Sequence, residues 1–245
     1  MAAVDLNGDL GEGMGHDAEL MPLISSANIA CGGHAGDEAT MRATINLAHE
    51  HQVAIGAHPG FADRKNFGRR PIAVSALEVR ELVLAQTRQL IDLAAGCGAR
   101  VRHVKPHGAL YNLAARDEVT ARAVAEAVYE ADSRLLLIGL AGSRLLEAGC
   151  ACGLSVASEV FADRSYQADG SLTPRDRADA LVTDEASVVS RVLRMVQTGK
   201  VTATDGSEVD LIVDTICLHG DGPRAVELAR AVNGALRQAG VIIRA

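Results

Sequence analysis

The sequence predicts a single α/β domain over residues 1–245, folded as a parallel (β/α) barrel that is seven-stranded or a distorted TIM-like barrel. Short apolar runs of β type alternate with helical segments, and such alternation is typical of parallel strands joined by crossover helices. About seven such units fit a closed or nearly closed barrel of this length. An open doubly wound sheet is the main alternative, but the glycine-rich segment Gly11–Gly15 lacks the spacing of a phosphate-binding loop that would favour it.

Each element is predicted from its local pattern. The predicted strands are Ala3–Leu6, Ala27–Ala30, Val53–Ala57, Val101–Val104, Leu135–Leu140, Ser155–Val160 and Leu211–Leu218. The predicted long helices are Asp37–His51, Ser75–Ala95, Glu118–Ala131, Thr183–Gln197 and Pro223–Ala239. Ser75 and Glu78 form a capping-box pattern, Gly222–Pro223 is a helix start, and Gly199 and Gly240 are helix stops.

Composition excludes several classes of function. The chain carries 24 Lys and Arg against 31 Asp and Glu, a net charge of −7, which argues against a nucleic-acid partner. With three Tyr, three Phe and no Trp, the core must be aliphatic, and aromatic platforms that stack sugars or bases can hardly be built. Five irregularly spaced Cys predict neither a disulfide framework nor a zinc ribbon. No signal peptide or run of ~20 apolar residues is present, so we expect a cytoplasmic protein with no membrane partner.

Dense polar clusters follow nearly every predicted strand. In a parallel barrel the carboxyl ends of all strands lie on one face, where active sites are built. The loops at the opposite end, such as Gly96–Arg100 and Gly149–Gly153, carry few chemically active groups, and this asymmetry indicates an enzyme. The clusters are DLNGDLGE (Asp5–Glu12), NIACGGHAGD (Asn28–Asp37), GAHPGFAD (Gly56–Asp63) with FGRR (Phe67–Arg70), VKPHGALYN (Val104–Asn112), SEVFADRSY (Ser158–Tyr166) and CLHGDG (Cys217–Gly222).

Four histidines stand out because each follows its strand closely and is bordered by Gly or Pro: His34, His58, His107 and His219. We predict that they are functional, whereas His103 lies within a strand and is predicted to be structural. A divalent-metal site can be built from Asp5, Asp9, His34 and His58. Without a metal, the same groups can activate water by acid–base catalysis.

Cationic residues at the strand ends can hold an anion. Lys105 and Arg164 are candidates for binding a carboxylate or phosphate, as is the Arg69–Arg70 pair. Glu159 and Asp163 flank Phe161, and one of the two can orient Arg164 or act as a base while the other caps a loop. Asn7, in the first polar cluster, is a further candidate for substrate binding. Cys31 is predicted to be a small buried residue rather than a nucleophile.

Taken in order, these clusters resemble the motifs of the LamB/YcsF family over nearly the whole chain. The resemblance implies a barrel-like fold related to the glycoside hydrolase and polysaccharide deacetylase superfamily. It also implies the role of the A subunit in an ATP-dependent bacterial 5-oxoprolinase, which opens 5-oxo-L-proline to L-glutamate. The implied cofactor is ATP with Mg²⁺, held by this chain or by the B and C subunits that act as its partners (PxpB and PxpC). The sequence contains no P-loop motif for binding ATP. A homo-oligomer is possible.

For this reaction we hypothesise that Lys105 and Arg164 bind the substrate carboxylate or the transferred phosphate. A carboxylate among Asp5, Asp9 and Glu12, or else His34, activates water. His107 or His219 then protonates the departing ring nitrogen. Two alternatives are a metal-dependent carbohydrate deacetylase and a non-catalytic subunit that delivers substrate. Acetate release without partners favours the first, and variants that change affinity but not saturated turnover favour the second.

Overall fold

A computed structural model describes residues 2–218 and 224–245. Seven parallel strands close into a barrel: β1 (Ala3–Leu10), β2 (Ser26–Ala30), β3 (Ala54–His58), β4 (Val101–Val104), β5 (Leu136–Leu140), β6 (Ser155–Phe161) and β9 (Thr215–Leu218). They follow one another around the sheet in that order, and β9 pairs with β1 to close it. The predicted seven-stranded barrel is therefore confirmed, and the open doubly wound sheet is excluded.

The helices surround this barrel. They are α1 (Asp17–Leu20), α2 (Glu38–Glu50), α3 (Ala76–Gly96), α4 (Gly108–Arg116), α5 (Glu118–Ala131), α6 (Arg144–Ala151), α7 (Glu185–Thr198) and α8 (Ala225–Gln238), with 3₁₀ turns at Met21–Leu23 and Arg64–Asn66. The Ser75–Glu78 capping box is present, and Gly199 ends α7 in the left-handed conformation. None of the described helices is both long and apolar enough to cross a bilayer.

Three short helices and a hairpin differ from the predicted pattern. Helices α1, α4 and α6 lie in segments without a predicted helix, and α4 begins directly after the polar KPH motif. The segment after α7 forms an antiparallel hairpin of β7 (Lys200–Thr202) and β8 (Glu208–Asp210). Asp205–Gly206, with Gly206 at φ +87°, occupies its turn, and an Asp-Gly pair is a signal that could have predicted it. The last strand, β10 (Ile242–Ile243), pairs with the start of β1 outside the closed barrel.

Strand β1 is longer than the sequence predicted, and its extra residues carry Asp9 to the candidate site. The strand continues to Leu10, four residues beyond the predicted end at Leu6. Its outer face carries Val4, Leu6 and Leu10, which are buried in the aliphatic core against the helices. Its inner face carries Asp5, Asn7 and Asp9, because successive side chains of a strand point to opposite sides. The interior of the barrel is therefore polar.

Hydrogen bonds satisfy this polar interior. Asn28 donates to Asn7 at 2.7 Å and to Asp9 at 2.8 Å, and its side-chain oxygen lies 2.8 Å from Nε2 of His103. Asn7 in turn donates to Glu159 at 3.0 Å and to Thr215 at 2.7 Å. Buried polar groups are tolerated when they are paired in this way. The network fixes the inward side chains of β1, β2 and β6 relative to one another.

Candidate functional site

The candidate functional side chains gather where β1, β2, β3 and β4 end. Glu12 lies two residues beyond β1, His34 four residues beyond β2, His58 at the last position of β3, and His107 at the N-cap of α4. One ligand atom from each of these four residues lies within 4.8 Å of all the others, so the group could hold a metal ion. We call these four residues the histidine cluster.

The cluster is buried and closely packed. Nε2 of His34 lies 3.0 Å from Oε1 of Glu12, and the rings of His34 and His107 stack with centroids 3.6 Å apart. Burial, followed by repulsion from His58, lowers the pKa of His34 to about 3. Burial and the two neighbouring imidazoles also lower the pKa of His107. These two rings are therefore neutral near pH 7 and present lone pairs rather than positive charge.

Two glycines make room for the stacked rings. A Cβ atom on Gly60 would lie 2.7 Å from Nδ1 of His34, and one on Gly68 would lie 2.7 Å from Cβ of the same residue. Gly68 also has φ +60°, a conformation that glycine adopts without strain. The side chain of Gln86 forms two hydrogen bonds with the Gly60 backbone: it donates to the carbonyl at 2.8 Å and accepts from the N–H at 3.0 Å. The loops after β3 are thereby fixed against the cluster.

Lys105 lies beside the cluster and is 2 % exposed. Its ammonium group lies 2.9 Å from Asp9, 2.8 Å from Glu159, and 3.1 Å from both Asn7 and Sγ of Cys217. Burial opposes its charge, but attraction to Asp9, Cys217 and Glu159 outweighs burial and raises the pKa of Lys105 well above its ordinary value. Glu159 thus pairs with Lys105, and of the two carboxylates considered for Arg164 it is Asp163 whose charge attracts the guanidinium.

Arg164 organises the long segment between β6 and α7. Its guanidinium donates to the backbone carbonyls of Thr173 at 2.5 Å and Ala180 at 3.3 Å. Burial, with repulsion from Arg175 as the next cause, lowers the pKa of Arg164 to about 10, so it remains charged at pH 7. The segment that it holds contributes Leu172 and Arg175 to the mouth of the barrel.

Two adjoining cavities lead from the cluster to the surface. A small cavity of about 40 Å³ is bounded by Asp9, Glu12, His58, Lys105 and His107. It shares lining residues with a larger cavity of about 550 Å³. Four arginines line this larger cavity: Arg69, Arg116, Arg164 and Arg175. In a chain of net charge −7, these four arginines concentrate positive charge that could attract an anion.

The structure brings together most, but not all, of the predicted site residues. Those that line the small cavity or belong to the histidine cluster are Asp9, Glu12, His34, His58, Arg69, Lys105, His107 and Arg164. Glu159 is fully buried beneath Lys105. Arg70 is exposed and lines neither cavity, whereas its neighbour Arg69 lines both. His219 and the predicted helix start Gly222–Pro223 lie outside the described residues.

Asp5 and Asn7 are placed away from the mouth. Asp5 accepts hydrogen bonds from Ser25, Ser26 and Thr215 and lines a separate cavity at the other end of the barrel. It lies on the same strand face as Asp9 but four residues earlier, about 13 Å along an extended chain. Asn7 is fully buried between the two and lines neither mouth cavity. The predicted metal set of Asp5, Asp9, His34 and His58 is therefore not assembled.

Several contributing residues carry no clear signal in the sequence. Asn28 opens the second polar cluster and links β1 to His103, but nothing in its local pattern sets it apart. Arg116 and Arg175 lie on α4 and in the segment after β6, and no strand end marks them. The packing role predicted for Cys31 is confirmed: its thiol donates to the carbonyl of Ile29 at 3.2 Å, and burial raises its pKa to about 12. A thiol in that state is not a nucleophile at pH 7.

Comparison with known proteins shows which family this chain belongs to. Residues 4–245 match the LamB/YcsF family. Proteins named as the A subunit of 5-oxoprolinase in Shouchella clausii and Tolumonas auensis are 52% and 53% identical over 250 residues, covering 100% of this chain and 99% and 100% of theirs. The crystal structure of a lactam utilization protein from Thermus thermophilus superimposes with a TM-score of 0.93 at 47% identity, covering 99% of both chains.

More distant structures share the fold alone. The peptidoglycan deacetylase PdaC from Bacillus subtilis superimposes with a TM-score of 0.51 at 12% identity, covering 99% of this chain and 87% of that one. The expected relationship to the deacetylase fold is thereby confirmed. At this level of identity, the likeness says nothing about which reaction is catalysed.

Proposed function

Since the chain belongs to the LamB/YcsF family, we propose that it acts as the A subunit of an ATP-dependent 5-oxoprolinase. The substrate is 5-oxo-L-proline, ATP is supplied with Mg²⁺, and the partners are the B and C subunits. The observation that carries the proposal is the adjoining pair of cavities, with an arginine-lined outer cavity leading to buried acid–base groups. The near-complete coverage of relatives that bear the name of this 5-oxoprolinase component supports the choice of substrate.

The reaction requires activation of a resonance-stabilised amide. Phosphorylation of the lactam carbonyl oxygen by ATP turns that oxygen into a leaving group. Water then attacks the carbonyl carbon, and the ring C–N bond breaks as the ring nitrogen takes a proton, which leaves an acyl phosphate. A second water attacks this acyl phosphate and releases phosphate and the side-chain carboxylate of glutamate. The sum is 5-oxoproline, ATP and two waters giving glutamate, ADP and phosphate. Positioned cations and acid–base groups are what this chemistry needs from a protein.

We assign these needs to the residues at the mouth. Arg69 and Arg164 bind the substrate carboxylate or the phosphate, and Lys105 holds the Asp9 carboxylate in place through its 2.9 Å contact. Asp9, Glu12 or His34 activates water, and His107 protonates the departing nitrogen. Lys105 has its contacts inside the barrel and so acts here as a positioning residue, not as the anion ligand expected from its place at the strand end.

The activity is tested with this chain alone and with the B and C subunits, using 5-oxoproline with and without ATP. Glutamate and phosphate are expected in equal amounts, and only when all three proteins and ATP are present. Acetate release from an acetylated sugar by the chain alone would support the deacetylase alternative instead. Failure of the complete mixture to form glutamate, with each protein folded, would contradict the proposal.

The adjacent arginines provide a matched pair for the anion site. Arg69→Ala is expected to raise the KM for 5-oxoproline or for ATP about 10- to 100-fold, because hydrogen bonds to charged groups contribute roughly 1.5–3 kcal/mol. Arg70→Ala removes the same charge from an exposed position that lines neither cavity, and it is expected to leave KM nearly unchanged. Equal effects of the two substitutions would show that the outer cavity is not the anion site.

A further inference from the structure

Two imidazoles of the histidine cluster have their protons fixed by backbone carbonyls. Nδ1 of His58 lies 2.7 Å from the carbonyl oxygen of Lys105, and Nε2 of His107 lies 2.8 Å from that of Phe67. A carbonyl oxygen can only accept, so each of these ring nitrogens donates its proton. A neutral imidazole carries one N–H, and the other nitrogen of each ring is therefore a bare acceptor.

The two bare nitrogens face each other. Nε2 of His58 and Nδ1 of His107 are 3.0 Å apart, a distance typical of a hydrogen bond, but when both rings are neutral neither has a proton to place between them. Two lone pairs at this distance repel unless a cation lies against both of them. The buried carboxylate of Glu12 approaches the same point, 3.4 Å from His107 Nδ1 and 3.9 Å from His58 Nε2.

His34 completes the arrangement. Its Nε2 lies 3.0 Å from the same oxygen of Glu12, a carboxylate that accepts the Nε2 proton until an ion replaces that proton, and its Nδ1 has no hydrogen-bond partner among the described residues. Four of the separations among these side-chain atoms range from 3.0 to 3.9 Å. Two ligand atoms that each lie about 2.1 Å from a tetrahedral metal ion are about 3.4 Å apart. These four separations are close to those of a first coordination shell.

We propose that Glu12, His34, His58 and His107 bind one divalent transition-metal ion. Three imidazole nitrogens and one carboxylate favour Zn²⁺, Fe²⁺, Co²⁺ or Ni²⁺ over Mg²⁺ and Ca²⁺, which prefer oxygen ligands. The proposal rests on the tautomers and the spacing and holds whichever substrate the family member takes. A bound ion of this class supplies Lewis-acid chemistry beside Asp9.

The surroundings support a metal centre. The carbonyls of Lys105 and Phe67 orient the two ligand rings by accepting from their outer nitrogens, an arrangement typical of metal-binding histidines. Asp9 lies just outside, with Oδ2 3.5 Å from Nε2 of His58 and Oδ1 held by Lys105. The glycines at 60 and 68 let the backbone approach the stacked rings more closely than a residue with a Cβ atom could. The backbone carbonyls thus orient His58 and His107 before an ion arrives, whereas the parallel ring of His34 has to tilt out of its stack to direct a lone pair at the same ion.

The test measures metal content rather than turnover. The purified full chain is stripped with chelator, offered Zn²⁺, Co²⁺, Ni²⁺ or anaerobic Fe²⁺ separately, desalted, and analysed by elemental mass spectrometry. We expect about one ion per chain with at least one of these metals and a rise in Tm on binding. The Co²⁺ form should show the visible absorption of a low-symmetry cobalt site.

His58→Gln and Glu12→Gln are expected to abolish both the bound ion and the metal-dependent rise in Tm. His49→Gln, on the exposed end of α2, should retain both. Circular dichroism of each metal-free variant shows whether it is folded. If His58→Gln or Glu12→Gln does not fold, His107→Phe, which preserves the ring stack, replaces it in the test. Wild-type protein that takes up none of the four ions, or cluster variants that bind as tightly as wild type, would overturn the proposal and leave a shared proton between His58 and His107 as the explanation. Because no substrate is involved, this outcome is independent of the 5-oxoprolinase assay.

Discussion

Asp9→Asn is expected to lower the kcat of the reconstituted complex by about 10²–10⁴-fold, the usual contribution of a general acid or base. Asn28 and Lys105 fix one oxygen of the carboxylate at 2.8 and 2.9 Å. The other oxygen lies 3.5 Å from His58 Nε2, and Asp9 lines the small cavity. Asparagine keeps the shape but loses the charge and the ability to take a proton. Steady-state kinetics with 5-oxoproline and ATP measure the effect.

Asp5→Asn is the matched control. Asp5 shares the strand and the face of Asp9, but its carboxylate is bound by Ser25, Ser26 and Thr215 at the opposite end of the barrel. It is expected to retain most of the wild-type kcat once the folded fraction is accounted for. If Asp9→Asn instead raised KM and left saturated turnover intact, the chain would be a substrate-binding subunit without a catalytic role.

Lys105→Met is expected to lower the free energy of unfolding by about 3–5 kcal/mol, the typical cost of breaking a buried ion pair by removing one partner. The lysine lies between Asp9 and Glu159, at 2.9 and 2.8 Å, and all three groups are inside the barrel. Methionine fills a similar volume but leaves two buried carboxylates facing each other without a cation. Urea denaturation followed by circular dichroism gives the change.

Two further variants show whether the loss of stability in Lys105→Met comes from the buried carboxylates. Lys65→Met removes an exposed lysine and should change the free energy of unfolding by no more than about 0.5 kcal/mol. Adding Glu159→Gln to Lys105→Met removes one of the uncompensated charges and should recover part of the loss, giving a clear coupling energy between the two positions. A Lys105→Met variant as stable as wild type would show that the carboxylates do not depend on this ammonium group.

Much of the fold could be predicted from local sequence. Helix α5 has the predicted bounds, as does strand β4, and the Ser75–Glu78 box caps α3 as expected. The alternation of strands and helices predicted both the closed parallel barrel and the face on which His34, His58 and His107 meet. These features depend on hydrophobic period, capping residues and chain order, all of which a single sequence contains.

The end of β1 could not be placed so directly. The polar residues of the first cluster suggested a loop after Leu6, although Val4, Leu6 and Leu10 keep the two-residue period of a strand. The strand is extended because β2 pairs with it on one side and β9 on the other, and because the barrel interior accepts its polar face. As a result Asp9 and Glu12 belong to the site, and Asp5 lies at the opposite end.

The sequence by itself determined the barrel, the family motifs and the rim on which the chemistry is assembled. Only the tertiary structure decided which carboxylates reach the histidines, that Lys105 is enclosed by Asp9 and Cys217, and that two imidazoles turn bare nitrogens toward each other. The physical reason is distance along the chain. The partners of Lys105 are 96 and 112 residues away, and a contact of that kind is set by strand pairing and burial across the whole barrel, not by any local pattern.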